Sequence, residues 1–133
     1  MKKVGIWVDH RRALLIKFDD GRESREVLES DIERHAGPEG SRRTSTPYGP
    51  QAKDVERRIQ SRNRHHLQRF YREILKRVGM TERLLIMGPA AAKQELADVI
   101  KKDPSLRAVD VKVEPADRMT DDQVAARVRT AEF

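Results

Sequence analysis

The sequence predicts an α/β fold built on one mixed five-stranded sheet, an antiparallel three-strand meander plus parallel strands, with helices packed on it. Three observations carry that expectation. Three strand-length segments follow one another across short turns in the first 30 residues, the pattern of a meander. Beyond residue 52, helical periodicity alternates with short apolar runs, and a strand reached through a helical crossover lies parallel to its neighbour. A chain of 133 residues is one domain's worth and can bury most of a single core without staples.

Taken in order, "KVGIWVD" (Lys3 to Asp9) and "ALLIKF" (Ala13 to Phe18) are apolar runs separated by "HRR", which reads as a tight antiparallel pair. "DDG" makes a turn, and "SREVLES" (Ser24 to Ser30) alternates as a third strand. From Arg34 to Gln51 the chain is crowded with Gly, Pro, Ser and Thr, so it is expected to form a long mobile loop. Val55, Ile59, Leu67, Phe70, Tyr71, Ile74, Leu75 and Val78 then recur at helical spacing, with Gly79 as a left-handed stop. The stripe is dense only after Leu67. Its first half, "KDVERRIQSRNRHH", holds two apolar residues among fourteen, which predicts an arm projecting beyond the core.

"RLLIMG" (Arg83 to Gly88) is the continuous apolar run of a strand buried on both faces. "PAAAKQELADVIKK" after it is expected to open with proline at the first helical position and to end before Asp103-Pro104. "AVDVKVE" (Ala108 to Glu114) is another strand, and Thr120 with Gln123 forms a capping box before a short closing helix. The order is β-β-β-α-β-α-β-α, with no repeat and no second domain.

Charge is distributed unevenly. Between Arg34 and Arg77 twelve Lys/Arg face four Asp/Glu, a local net of +8, while the remaining sixteen basic and eighteen acidic residues net −2. A field confined to one loop and helix suits contact with a phosphate backbone; a solvated helix face is the plainer alternative. The absence of cysteine excludes disulfides, thiolate metal sites and a thiol nucleophile, and fits a reducing compartment. The apolar start meets Asp9, His10 and two arginines before it could serve as a signal peptide, and no stretch approaches membrane-spanning length. A cytoplasmic protein with no membrane partner is expected.

"WVDH" (Trp7 to His10) and "GPAAAKQEL" (Gly88 to Leu96), set in this order of elements, carry a resemblance over nearly the whole chain. The sequence resembles the middle domain of eukaryotic and archaeal class-I peptide-chain release factors and Pelota. It is closer still to a family of small single-domain bacterial proteins often labelled translational machinery proteins, which have a "WxDH" strand and a "GP-x-x-AK-x-x-L" turn. Many of those carry a histidine-rich loop, of which this chain keeps His65-His66. The resemblance implies a ribonuclease H-like architecture for a single domain, 1–133, with its long basic loop and helix start at about 34–66.

It also implies a candidate catalytic loop. In release factors the loop before the basic helix carries Gly-Gly-Gln, whose glutamine helps water attack the peptidyl-tRNA ester. The matching tripeptide is Gly49-Pro50-Gln51, with Gln51 in the catalytic place and Gly49 setting loop geometry. Proline departs from the pattern, because its φ is fixed near −65° and it has no N–H. The same tripeptide also reads as a helix start, with Gly49 as N-cap and Pro50 at the first helical position. The two readings are not exclusive.

Other constellations are less productive. Asp9 stands where a ribonuclease H-type nuclease would keep its first metal carboxylate, but the fourth strand ends in Met87-Gly88-Pro89, and a two-metal site needs converging acids. Asp9 is expected to cap the hairpin turn near Arg11 or Arg12. None of His10, His35, His65 and His66 lies three or four residues from another, so no metal site is expected. Gly88-Pro89 opening a helix could face an anion, but neither G-x-G-x-x-G nor a P-loop accompanies it, and no cofactor is expected. Trp7 reads as core packing, and Tyr48 as either a base-stacking residue or a loop anchor.

Two functions from different classes follow. The first is a ribosome- or RNA-associated translation factor whose Arg42, Arg43, Lys53, Arg57, Arg58, Arg62, Arg64 and His65 meet rRNA or tRNA phosphates without reading sequence. The second is a peptidyl-tRNA hydrolase of ribosome-rescue type using Gln51. A homo-oligomer whose arm packs on a neighbour is a third alternative.

Overall fold

The computed structural model describes residues 2–30, 50–79 and 81–131. Strands β1 (Lys2–Val8), β2 (Arg12–Asp19) and β3 (Arg22–Glu29) lead to helix α1 (Pro50–Val78). Then follow β4 (Arg83–Gly88), α2 (Ala92–Lys102), a short 3-10 turn (Pro104–Leu106), β5 (Asp110–Pro115) and α3 (Asp121–Thr130). The five strands form one sheet in the order β3-β2-β1-β4-β5. The meander pairs antiparallel, while β1 pairs parallel with β4, and β4 with β5. The α/β expectation and its order of elements stand.

Local chemistry explains the meander. Asp20 and Gly21 both take positive φ, 50° and 84°, as a two-residue turn matched to the twist of a hairpin requires. At the other hairpin, Asp9 Oδ1 accepts both the Arg11 and the Arg12 backbone N–H at 2.8 Å. The side chain thus closes the turn as expected.

Alternation along the strands divides the core. Val4, Ile6 and Val8 with Leu84 and Ile86 face Phe70, Tyr71 and Ile74 of α1 and Leu96 and Ile100 of α2. Trp7, Leu14, Ile16, Leu85 and Met87 point to the opposite face, against Val124, Ala125 and Val128 of α3. β4 is therefore buried on both sides, as its unbroken apolar run requires. Trp7 is 6% exposed and its Nε1 donates to the Asp117 carbonyl at 3.1 Å, so the indole is core packing with its polar handle satisfied. The Thr120–Gln123 capping box opens α3.

Several boundaries differ from the sequence reading, those of the first two strands by one residue at each end. The third strand runs Arg22–Glu29 and the fifth Asp110–Pro115. α2 begins at Ala92 with Ala91 as its N-cap, so Pro89 does not occupy the first helical position. Gly88 is still in the sheet, opposite Pro115, and its carbonyl accepts from Ala116 N at 2.9 Å. The chain then needs residues 89–91 to turn from the strand onto the face where α2 packs.

Candidate functional site

Helix α1 is two helices in character. Among its described side chains none before Phe70 is buried, whereas Phe70, Tyr71, Ile74 and Val78 are. Gly79, at φ +66°, ends it. The helix begins at Pro50 and Gln51 is its second residue, so the helix-start reading of the tripeptide holds. Gly49, Tyr48, Arg42 and Arg43 lie outside the described residues, as do the side chains of Gln51 and Lys53.

Arg57, Arg58, Arg62, Arg64, His65, Arg69 and Arg72 are exposed, and His66 is half-buried. At about 100° per residue, Arg58, Arg62, His65, Arg69 and Arg72 occupy a sector of about 80° directly opposite the apolar stripe. The stripe runs for about 21 Å along the axis at 1.5 Å per residue. Its Arg69 and Arg72 escaped the sequence reading, although the spacing 58, 62, 65, 69, 72 contains the signal.

Elsewhere, five arginines are matched by carboxylates. Arg12 pairs with Asp121 at 3.2 Å, Arg127 with Glu114 at 2.7 Å, and Arg129 with Glu23 at 3.2 Å. Arg25 bridges Glu23 and Asp122, and Arg77 meets Glu26. Arg57, Arg58, Arg64, Arg69 and Arg72 have no carboxylate partner among the described residues. Their field is left to the solvent or to a ligand.

A second cluster forms where β1 ends, at the edge of the sheet where α/β proteins place ligands. With Asp9 holding the turn and the Ser30 hydroxyl donating to the His10 carbonyl, the His10 side chain reaches α2. Its Nε2 lies 3.0 Å from Glu95 Oε1, which also accepts from the Tyr71 hydroxyl at 2.6 Å. A carboxylate oxygen accepts, so Nε2 carries the hydrogen of this contact, and in the neutral ring Nδ1 is then an acceptor. Burial, reinforced by the bond to Glu95, pushes the Tyr71 phenol well above its ordinary range.

These residues line a groove of about 530 Å³ between α1 and α2, together with Arg64, Leu67, Gln68, Val99 and Lys102. A larger, mainly apolar cavity of about 920 Å³ lies at the other end of the parallel strands, among Leu75, Glu82, Leu106 and Val109. The sequence reading placed His10 and Glu95 in two separate motifs and Tyr71 in the core stripe. Their meeting was the missed feature.

Gly88 explains part of the second motif. A Cβ there would stand 2.2 Å from the Val8 carbonyl oxygen, so only glycine lets the ends of β1 and β4 approach and bring His10 and α2 together. Among the described residues no three His, Cys, Asp or Glu side chains gather as a metal set, and no helix is long and apolar enough to cross a membrane.

No protein-family profile and no curated protein matches the chain. Among solved structures it is similar to the Pelota protein of Thermoplasma acidophilum, with 15% identity and a TM-score of 0.53 over 98% of this chain and 33% of that one. An archaeal translation termination factor is similar at 15% identity and a TM-score of 0.52, over 98% of this chain and 35% of that one. The fold is that of one segment of these two proteins. The chain spans about a third of the length of either. The expected resemblance to release-factor and Pelota domains is thus present in three dimensions.

Proposed function

We propose that the chain is a single-domain, cytoplasmic translation factor that binds the phosphate backbone of rRNA or tRNA on the ribosome through α1. The observation that carries this reading is the contrast in charge pairing. Arg12 and Arg25 of the sheet and Arg127 and Arg129 of α3 sit against carboxylates, while Arg58, Arg69 and Arg72 on α1's outer face have none among the described residues. Guanidiniums at Arg58, Arg62, Arg69 and Arg72, about 5 to 11 Å apart along the helix axis, suit phosphates of one backbone, and each contact releases condensed counterions. Such contacts position a protein on RNA without reading its sequence. One of the two proteins sharing the fold is a translation termination factor, which adds support for a ribosomal setting.

His65 lies within the stripe; Arg42, Arg43 and the Lys53 side chain, which the sequence reading assigns to the same contact, lie outside the described residues. Nothing in the described geometry favours hydrolysis through Gln51 over its place in the first helical turn. Co-sedimentation with ribosomes tests the proposal. The native chain should pellet at 50 mM salt and be largely released at 200 mM, as about six phosphate contacts imply. Pelleting unchanged across that range would refute the electrostatic reading.

A further inference from the structure

The geometry points to the α1–α2 groove as a pocket for one nucleotide of single-stranded RNA, an inference that deepens the proposed function and rests on it. Its volume of about 530 Å³ falls within the range of small-ligand sites, about 300–1,000 Å³. Its charges are not equivalent. Glu95 is engaged by His10 and Tyr71, and Asp98 Oδ1 accepts from Gln94 Nε2 at 3.2 Å. Arg64 and Lys102, both exposed at the rim, have no such partner among the described residues. The groove therefore offers a phosphate two cations at its rim, while Glu95 and Asp98 keep their charge and each commits an oxygen to bonds within the protein.

Half-buried Leu67 and Val99 supply an apolar surface for the face of a base, and the guanidinium plane of Arg64 can stack on it. In the neutral His10 ring Nδ1 is an acceptor, because Nε2 donates to Glu95, and the Gln68 amide offers both donor and acceptor. Arg64 belongs to the same helix as the basic stripe and lies about 120° around its axis from the stripe's centre, on the side that faces the groove. A paired base has its edge and faces occupied, so a single strand is the form that fits.

The test is titration of the full chain with a nucleoside 5′-monophosphate, with inorganic phosphate alone and with the nucleoside alone, following the His10 ring resonances by NMR. The monophosphate should move them, the other two should not at equal concentration, and Lys102→Ala should weaken the monophosphate by about tenfold, one charge-assisted contact. Single-stranded RNA should displace the monophosphate. Unmoved His10 resonances while RNA still binds α1 with steep salt dependence would overturn the pocket and leave the proposed function intact. Equal shifts with inorganic phosphate would reduce the groove to an anion site and overturn the nucleotide assignment. Loss of RNA binding altogether would count against the proposed function itself.

Discussion

Tyr71→Phe removes one oxygen from the junction of α1, α2 and the end of β1. The hydroxyl is 2.6 Å from Glu95 Oε1 on a residue only 3% exposed, and a hydrogen bond to a charged group contributes about 1.5–3 kcal/mol. Glu95 keeps His10 as a partner and its side chain is 43% exposed, so water compensates in part and a loss of about 1 kcal/mol is expected at pH 7. The pH dependence is more diagnostic. Burial and Glu95 raise the phenol above its ordinary value of 10.0, so the folded chain holds this proton more tightly than the unfolded one. Such a group adds stability below the unfolded pKa and loses it as pH rises toward the folded one. Above pH 10 the native chain should therefore lose about 1.4 kcal/mol per pH unit relative to the Phe variant, and the two should become equally stable near pH 11. Urea unfolding from pH 7 to 11 measures both terms. Equal stability at pH 7, or a gap that does not change between pH 9 and 11, would refute the reasoning.

Two further substitutions test the elements that build this junction. Gly88→Ala should destabilise by about 1–3 kcal/mol in urea melts, because the new methyl must displace the Val8 carbonyl 2.2 Å away; a stability within about 0.5 kcal/mol of native would show that the strands separate freely. Asp9→Asn should leave stability within about 0.5 kcal/mol, since an amide oxygen can still accept the Arg11 and Arg12 N–H groups. Asp9→Ala should cost about 1–2 kcal/mol, and a larger loss for Asn than for Ala would show that the charge of Asp9, and not its turn bonds, is what matters.

Most of the fold could be read from the sequence because its determinants are local. Period-two runs mark the strands, the Asp-Gly turn sets the hairpin, and the 3.6-residue stripe after Leu67 marks where α1 enters the core. The capping box at Thr120 did the same for α3. Pro89 misled because a proline before a helical pattern has the same local appearance at the first helical position or three residues earlier. Only the ladder from Gly88 to Pro115 and Ala116 decides which. The His10–Glu95–Tyr71 contact joins residues 85 and 24 positions apart, so no window along the chain contains it. The unmatched arginines were legible as positions on a helix, but their lack of carboxylate partners is a tertiary fact. It depends on where Glu23, Glu26, Glu114, Asp121 and Asp122 are placed, and those acids face other arginines.

The proposed function rests on phosphate binding by the outer face of α1, where Arg58, Arg69 and Arg72 have no carboxylate partner among the described residues. Its most direct test is the slope of log K against log salt for binding to single-stranded RNA, comparing the native chain with Arg58→Gln, Arg62→Gln, Arg69→Gln and Arg72→Gln combined. These side chains are exposed, so the variant should fold. Four lost contacts should make the slope shallower by about 3, at about 0.7 per phosphate. Identical slopes for the two proteins would contradict the claim.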